Sequence, residues 1–285
     1  MAIGIQEKSQ AYSEYDVLKR VILCEPQFMT IRDVINDTQK KFQNEGIHIE
    51  KAMEQHKNFV NALHNEGIDV VLLPSLEKFP EQVFTRDIGF TLGNVIYVAD
   101  MAAPVRQGEE DILKEWLEHN EISYYNMVHD KIEGGDVIID REKIFIGISD
   151  RTNENAVAHL SSLMSHKFEV IPVPFTEKYL HLDCVFNIIS PNEALFFPEA
   201  FTDKEKELLA AHYELIEVSE DEQFTLGTNV FSIGNKKVFS LPVNEKVNQL
   251  LRSRGYKVIE VDITEIIKSG GSFRCCTLPL LRSKP

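Results

Sequence analysis

Two hydrophobic rhythms alternate along the chain. Segments with helical spacing end in a basic residue, and each runs straight into a short apolar stretch of strand character. Five copies can be read. They are Leu63-His64 into Ile68-Asp69-Val70-Val71, Trp116-Leu117-Glu118-His119 into 122–125, and Leu163-Met164-Ser165-His166 into 168–173; Leu209-Ala210-Ala211-His212 into 215–218 and Leu251-Arg252-Ser253-Arg254 into 256–261 follow. The basic residues recur every 42 to 55 residues, roughly the period of known repeat architectures.

Ahead of the helices, polar or Gly-rich turns join pairs of β segments. These lie at 89–98, at 137–148 around Asp140-Arg141-Glu142-Lys143, and at 230–241 around Gly234-Asn235-Lys236-Lys237. The unit is therefore strand, strand, helix, strand. In the fourth unit Thr202-Asp203-Lys204-Glu205 reads as a capping box opening the helix. A unit this small cannot bury both faces of its own sheet, so five are expected to pack around a common axis with helices outside. The predicted fold is α/β, a closed five-module ββαβ propeller with pseudo-fivefold symmetry, forming one catalytic domain over 1–285.

Composition narrows the partners. A chain of 285 residues that is 43% hydrophobic can bury a large core. Its net charge of -15 is spread along the chain, which disfavours phosphate backbones and suits a cationic ligand, so nucleic acid is not expected. No apolar run approaches the roughly 18 residues of a membrane span, and 1–15 is polar, so neither membrane nor export is expected. Cys24, Cys184, Cys275 and Cys276 form no CxxC pair, which fits a reducing cytoplasm. Neither G-x-G-x-x-G opening a helix nor a Walker-type loop occurs, so no cofactor is expected. A homodimer is left open.

The repeat also sorts the histidines. His64, His119, His166 and His212 share a place at helix C-termini, where a cation meets exposed carbonyls. His48, His56, His129 and His159 show no ligand spacing such as HExxH, so no metal site is expected. His181 departs from both groups, preceding a strand with Asp183 two residues on.

His181 belongs to a second pattern, of polar clusters at the module entrances. These are Phe84-Thr85-Arg86-Asp87, Glu133-Gly134-Gly135-Asp136, His181-Leu182-Asp183 and the run 270–277, with the plainer Phe224-Thr225-Leu226-Gly227 filling the remaining place. Equivalent positions in a ring converge on the axis, so Asp87, Glu133, His181, Asp183 and Cys275 are expected to face one cavity. Glycines before Cys275 allow close backbone approach, and adjacent Arg274 would favour its thiolate. Singly, each cluster also reads as an ordinary turn, a solvated hairpin or buried packing. Their common phase weighs against that. Ser272 lacks the glycine a G-x-S-x-G elbow needs, having Arg274 there. Phe90, Tyr97 and the segment 27–39 read as packing first, and as walls or a lid second.

These clusters, with Ile148-Ser149-Asp150-Arg151-Thr152-Asn153, resemble the motifs of the guanidine-modifying (pentein) enzymes: dimethylarginine dimethylaminohydrolases, arginine deiminases and amidinotransferases. The resemblance runs from about 17 to 281 and implies the five-module propeller. It implies Cys275 as nucleophile with Cys276 a packing neighbour, and His181 as general acid/base. Glu133 would orient the imidazole or hold the guanidinium, Asp87 would bind the guanidinium, and Arg151 would grip a substrate carboxylate. The implied reaction is attack of the thiolate on the guanidinium carbon, protonation of the departing amine by His181, and hydrolysis of the thiouronium to a ureido product. Chain size favours the dimethylarginine branch, whereas Asp183 favours a substrate with unmethylated nitrogens, and methylation stays open. The alternatives are an amidinotransferase, with an amine replacing water, and a propeller that only binds partners.

Overall fold

The computed structural model describes residues 8–128, 131–164 and 167–283; His129 and His166 lie outside them. In chain order the elements are β1 (Val17–Cys24), α1 (Asp37–Phe42), α2 (Ile49–Asn65) and β2 (Asp69–Leu73); β3 (Gly89–Leu92), β4 (Val95–Val98), α3 (Glu109–His119) and β5 (Tyr124–Asn126); β6 (Val137–Asp140), β7 (Lys143–Ile148), α4 (Glu154–Met164) and β8 (Glu169–Pro174). Next come β9 (Phe186–Ile188), β10 (Glu193–Phe196), α5 (Asp203–Ala210) and β11 (Glu214–Glu217); α6 (Glu220–Phe224), β12 (Phe231–Gly234), β13 (Lys237–Ser240), α7 (Glu245–Ser253) and β14 (Lys257–Glu260); then α8 (Thr264–Ile267) and β15 (Leu278–Ser283).

The strands form five three-stranded sheets of one design. An antiparallel pair, such as β6 and β7 with Ile138 opposite Phe145, is joined by a parallel third strand, here β8 with Ile171 opposite Phe145. The helix between the second and third strands supplies the long crossover that a parallel connection needs. One sheet is assembled from both chain ends: β1 pairs antiparallel with β15, Val17 opposite Ser283, and parallel with β2, Val21 opposite Val70.

Local sequence accounts for these elements. In α2 the residues Ala52, Gln55, His56, Phe59 and Leu63 are buried, the stripe that a 3.6-residue period turns to one side. The four residues of β3 and of β12 are buried throughout, so these strands pack on both faces. The β12–β13 turn places Asn235 and Lys236 both at φ 53°, the left-handed pair that a two-residue hairpin uses. The main core joins several modules, with Phe273 in edge contact with Phe59 at 5.0 Å and Phe239 meeting Phe59 at 5.3 Å.

Two local expectations change in form. Thr202 is the N-cap of α5, but its hydroxyl donates to the Glu205 carboxylate and caps no backbone N–H. The entrance around 224–227 is partly helical, because α6 ends there. His64 and His119 occupy the last turns of α2 and α3, and His212 follows α5 with its ring 5.5 Å from that of Phe145. Phe90 and Tyr97 stack at 5.2 Å inside a core cluster. Among the described residues no helix is long and apolar enough to cross a membrane.

Candidate active site

The polar clusters sit at tight corners just before the first strand of a sheet. Glu133 is extended (φ -110°, ψ 140°) and leads into a single 3-10 turn, Gly134–Asp136, ahead of β6; His181 is extended (φ -139°, ψ 161°) and leads into Leu182–Cys184 ahead of β9. Equivalent corners thus present equivalent side chains. Hydrogen bonds link the corners in cyclic order. Gly134 N donates to Asp87 O at 3.0 Å, Leu182 N to Asp136 Oδ1 at 2.9 Å, and Asn229 Nδ2 to Asp183 O at 3.0 Å. Arg274 N then donates to Asn229 Oδ1 at 3.0 Å, and Arg86 N to Cys275 O at 3.0 Å, returning to the first corner.

Asp87, Glu133, His181, Asp183 and Cys275 are all brought together and buried. His181 Nε2 lies 2.8 Å from Glu133 Oε2, and its Nδ1 lies 3.5 Å from Asp87 Oδ1; those two facing atoms, Nδ1 and Oδ1, have no hydrogen-bond partner among the described residues. The other Asp87 oxygen accepts from Arg106 Nη1 at 2.5 Å, and the other Glu133 oxygen from Ala102 N at 3.0 Å. Cys275 Sγ is 3.4 Å from Asn229 Oδ1 and 3.9 Å from Asp183 Oδ1. Gly135 has to be glycine here, since a Cβ would stand 2.7 Å from the His181 ring and 2.9 Å from Asp87 Oδ1. Gly270, at φ +96°, lets the thiol-bearing loop turn against Asn36.

Burial penalises the His181 cation, yet the Asp87 charge, the Glu133 hydrogen bond and Asp136 outweigh it and lift the imidazole to about 10. The same pair holds Glu133 below its ordinary value: burial works against this, but the bond to His181 prevails. Asp183 is pushed up by burial, with Arg274 opposing. Burial also lifts Asp136 to about 6 and Glu81 to about 7.

Arg151 stands beside this group. Its Nη1 is 3.9 Å from Glu133 Oε1, and its Nη2 donates to Ile35 O at 3.1 Å. Ile35 and Asn36, from the 27–39 segment, do wall a narrow cleft with Asp87, His181 and Cys275. Arg274 keeps a charge interaction with the Cys275 sulfur: burial opposes its cation, while Glu14, Asp183 and Cys275 favour it. Its guanidinium also donates to Glu14, to Asp183 Oδ2 (3.2 Å) and to Val137 O (2.9 Å), so its donors anchor buried acceptors.

Three residues escaped sequence reasoning. Arg106 and Glu81 carried no signal, because a charge at a helix approach or in a loop looks solvated until burial is known. Asn229 did carry one: it lies 46 residues before Cys275 and 46 after Asp183, in phase with the other corners.

The family described as N,N dimethylarginine dimethylhydrolase, eukaryotic, matches residues 25–282. The uncharacterized protein YkgA of Bacillus subtilis is 52% identical over 98% of this chain and 97% of its own. An arginine deiminase of Listeria monocytogenes is 27% identical over 83% of this chain and 69% of its own. The N-terminal domain of ArgZ, a cyanobacterial arginine dihydrolase solved with product, superimposes with a TM-score of 0.84 at 25% identity, covering 94% of this chain and 98% of that domain. The family match spans nearly the whole chain and the shared α/β fold agrees with it: the chain belongs to the N,N dimethylarginine dimethylhydrolase family, guanidino hydrolases of the pentein superfamily.

Proposed function

We propose that this protein hydrolyses the guanidinium of an arginine-like substrate through a covalent Cys275 thiouronium, within a closed five-module propeller acting as one catalytic domain. The observation that carries the reading is an imidazole held between two carboxylates in the same buried cleft as a thiol. The cyclic hydrogen bonding of the corners and the β1–β15 pairing support the closed ring.

A guanidinium is planar and donates in its plane, so it calls for carboxylate acceptors around its edge. Asp87 Oδ1, buried with no hydrogen-bond partner among the described residues, offers one, and Asp183 Oδ1 offers another beside the sulfur. The incoming cation favours the thiolate, and the thiol proton leaves to solvent. Cys275 Sγ bonds to the guanidinium carbon, and the carbon–nitrogen bond breaks as His181 protonates the departing amine. His181, now neutral, takes a proton from water; the hydroxide adds to the thiouronium carbon, and the C–S bond breaks to release a ureido product and the thiolate. Glu133 keeps the imidazole oriented, and Arg151, at the cleft's edge, takes the substrate carboxylate. Asp183 makes an unmethylated terminal nitrogen the better fit, because a dimethylated one has no proton to donate.

The test is to quench turnover of L-arginine and of asymmetric dimethylarginine in acid and weigh the intact protein. A covalent thiouronium adduct with the mass of the substrate less its departing amine, present with Cys275 and lost in Cys275→Ser, supports the reading, with more product from L-arginine. Transfer of the amidino group to an added amine in place of water would replace it with an amidinotransferase, and absence of any adduct or ureido product with either guanidine would sink it.

A further inference from the structure

Asp136 closes the Glu133-Gly134-Gly135-Asp136 corner, is fully buried, and takes no part in the bond-making above. Its two oxygens face two different loops. Oδ1 accepts at 2.9 Å from Leu182 N, the peptide that follows His181, and Oδ2 accepts from the Ser149 hydroxyl at 2.6 Å. Ser149 Oγ in turn accepts from Arg151 N at 3.0 Å and from Thr152 N at 3.1 Å. A hydroxyl has one proton and two lone pairs; with both lone pairs facing N–H groups, its proton goes to the carboxylate. The direction of each bond from Arg151 N through Ser149 and Asp136 to Leu182 N is therefore fixed, and position 136 needs a side chain that accepts at both ends.

We propose that Asp136 is a positioning residue that, through Ser149, sets the span between Arg151 and His181 and so selects the length of the substrate between its carboxylate and its guanidinium. It rests on the proposed function, in which Arg151 takes the carboxylate and His181 works at the guanidinium. The link is short, one hydroxyl and one carboxylate, and its surroundings hold it in one geometry. Gly147, in β7, lets the carboxylate in, since a Cβ there would stand 2.5 Å from Asp136 Oδ1 and 2.8 Å from Leu182 Cβ. Ser149 N donates to Thr152 O at 3.1 Å, closing the turn that carries Arg151, and Thr152 Oγ1 accepts from Glu133 N at 3.2 Å, fixing that turn to the Glu133 corner. Burial opposes the Asp136 charge, while His181, the Ser149 and Thr152 hydroxyls and the Leu182 N–H favour it. The ionised carboxylate is the form that accepts on both oxygens.

A fixed span cannot satisfy both ends of a substrate of the wrong length. One methylene more either loses the Arg151 contact or moves the guanidinium carbon off the Cys275 sulfur, and a single methylene is worth about 10–200-fold in such discrimination. Agmatine, which has no carboxylate, does not use the span at all.

The whole protein is assayed with L-arginine, with L-homoarginine, one methylene longer, and with agmatine. The native chain should favour L-arginine over L-homoarginine by at least about tenfold in kcat/KM. Ser149→Ala cuts the link at the Arg151 end: KM for L-arginine should rise at least about tenfold with kcat within about twofold, the preference over L-homoarginine should shrink to about threefold or less, and agmatine should be unaffected. Ser149→Thr keeps the hydroxyl and should restore the native values. Asp136→Asn turns an N–H toward one of its two donors, so it should lose the same discrimination and also lower kcat on all three substrates, because the His181 corner loosens with it. Equal losses on agmatine and L-arginine in Ser149→Ala, a preference for L-arginine that survives it, or no preference in the native chain overturns the proposal. Should Asp136→Asn lose its native circular dichroism, the two Ser149 variants carry the comparison. Calorimetric binding of the three guanidines in a Cys275→Ser background separates this span from the reaction. Length discrimination in binding that disappears with Ser149→Ala, with no ureido product from any guanidine, would leave the span standing and the proposed hydrolysis failed.

Discussion

Asn229 Oδ1 accepts from the backbone of Arg274 and Cys275 and sits 3.4 Å from the Cys275 sulfur, while its Nδ2 donates to Asp183 O. One amide therefore ties the thiol corner to the histidine corner. Asn229→Ala takes the side-chain partner from Cys275 N and Asp183 O and lets the thiol shift, while Arg274 N keeps the Asn229 carbonyl. Steady-state assays should show kcat down about 100-fold, as an ångström of misplacement implies. Alkylation of Cys275 should become less selective over Cys276. An unchanged kcat would remove Asn229 from the positioning of the thiol.

His181 has a pH signature. Its value is raised from 6.5 to about 10, so the folded state binds its proton more tightly than the unfolded chain. The resulting stabilisation is present in full below pH 6.5 and is lost as pH rises toward 10. Isotope-edited NMR of the histidines should find one imidazole still protonated above pH 8. In Glu133→Gln that titration should move down, because the hydrogen-bonded carboxylate is gone.

Glu14 shows the opposite sign. Burial opposes its ionisation, but Arg274 and Arg86 outweigh this and hold it at about 2 against an ordinary 4.5. Its stabilisation is present above pH 4.5 and disappears as pH falls to 2, on the order of 3 kcal/mol. Glu14→Gln removes the buried carboxylate that faces the Arg274 and Arg86 guanidinium groups and should cost about 3–5 kcal/mol in chemical denaturation at pH 7. The variant's acid unfolding should also be flatter between pH 4.5 and 2.

Gly135→Ala tests the packing of carboxylate, glycine and imidazole. The added methyl meets the His181 ring at 2.7 Å and the Asp87 carboxylate at 2.9 Å. We expect a stable protein with kcat reduced at least about tenfold. A free-energy cost of about 1–3 kcal/mol is expected from overpacking. Wild-type kcat would mean that the ring moves without consequence.

Much of this was legible along the chain, since helical and strand periods and turn residues are local properties. The recurrence of β7, α4 and β8 or of β13, α7 and β14 follows from where apolar residues fall within about 45 residues, and so does the common phase of Asp87, Glu133, His181 and Cys275. Phase says which residues can meet. It does not say which way a side chain turns, and Arg274, adjacent to the thiol in sequence, spends its guanidinium on Glu14, 260 residues away. The burial of Arg106 against Asp87, the completion of the first sheet by β15, and the approach of Cys184 to Cys275 were likewise decided by packing. Each is a contact whose geometry depends on how distant segments pack, so only the assembled core sets the distance and the dielectric that give those residues their chemistry.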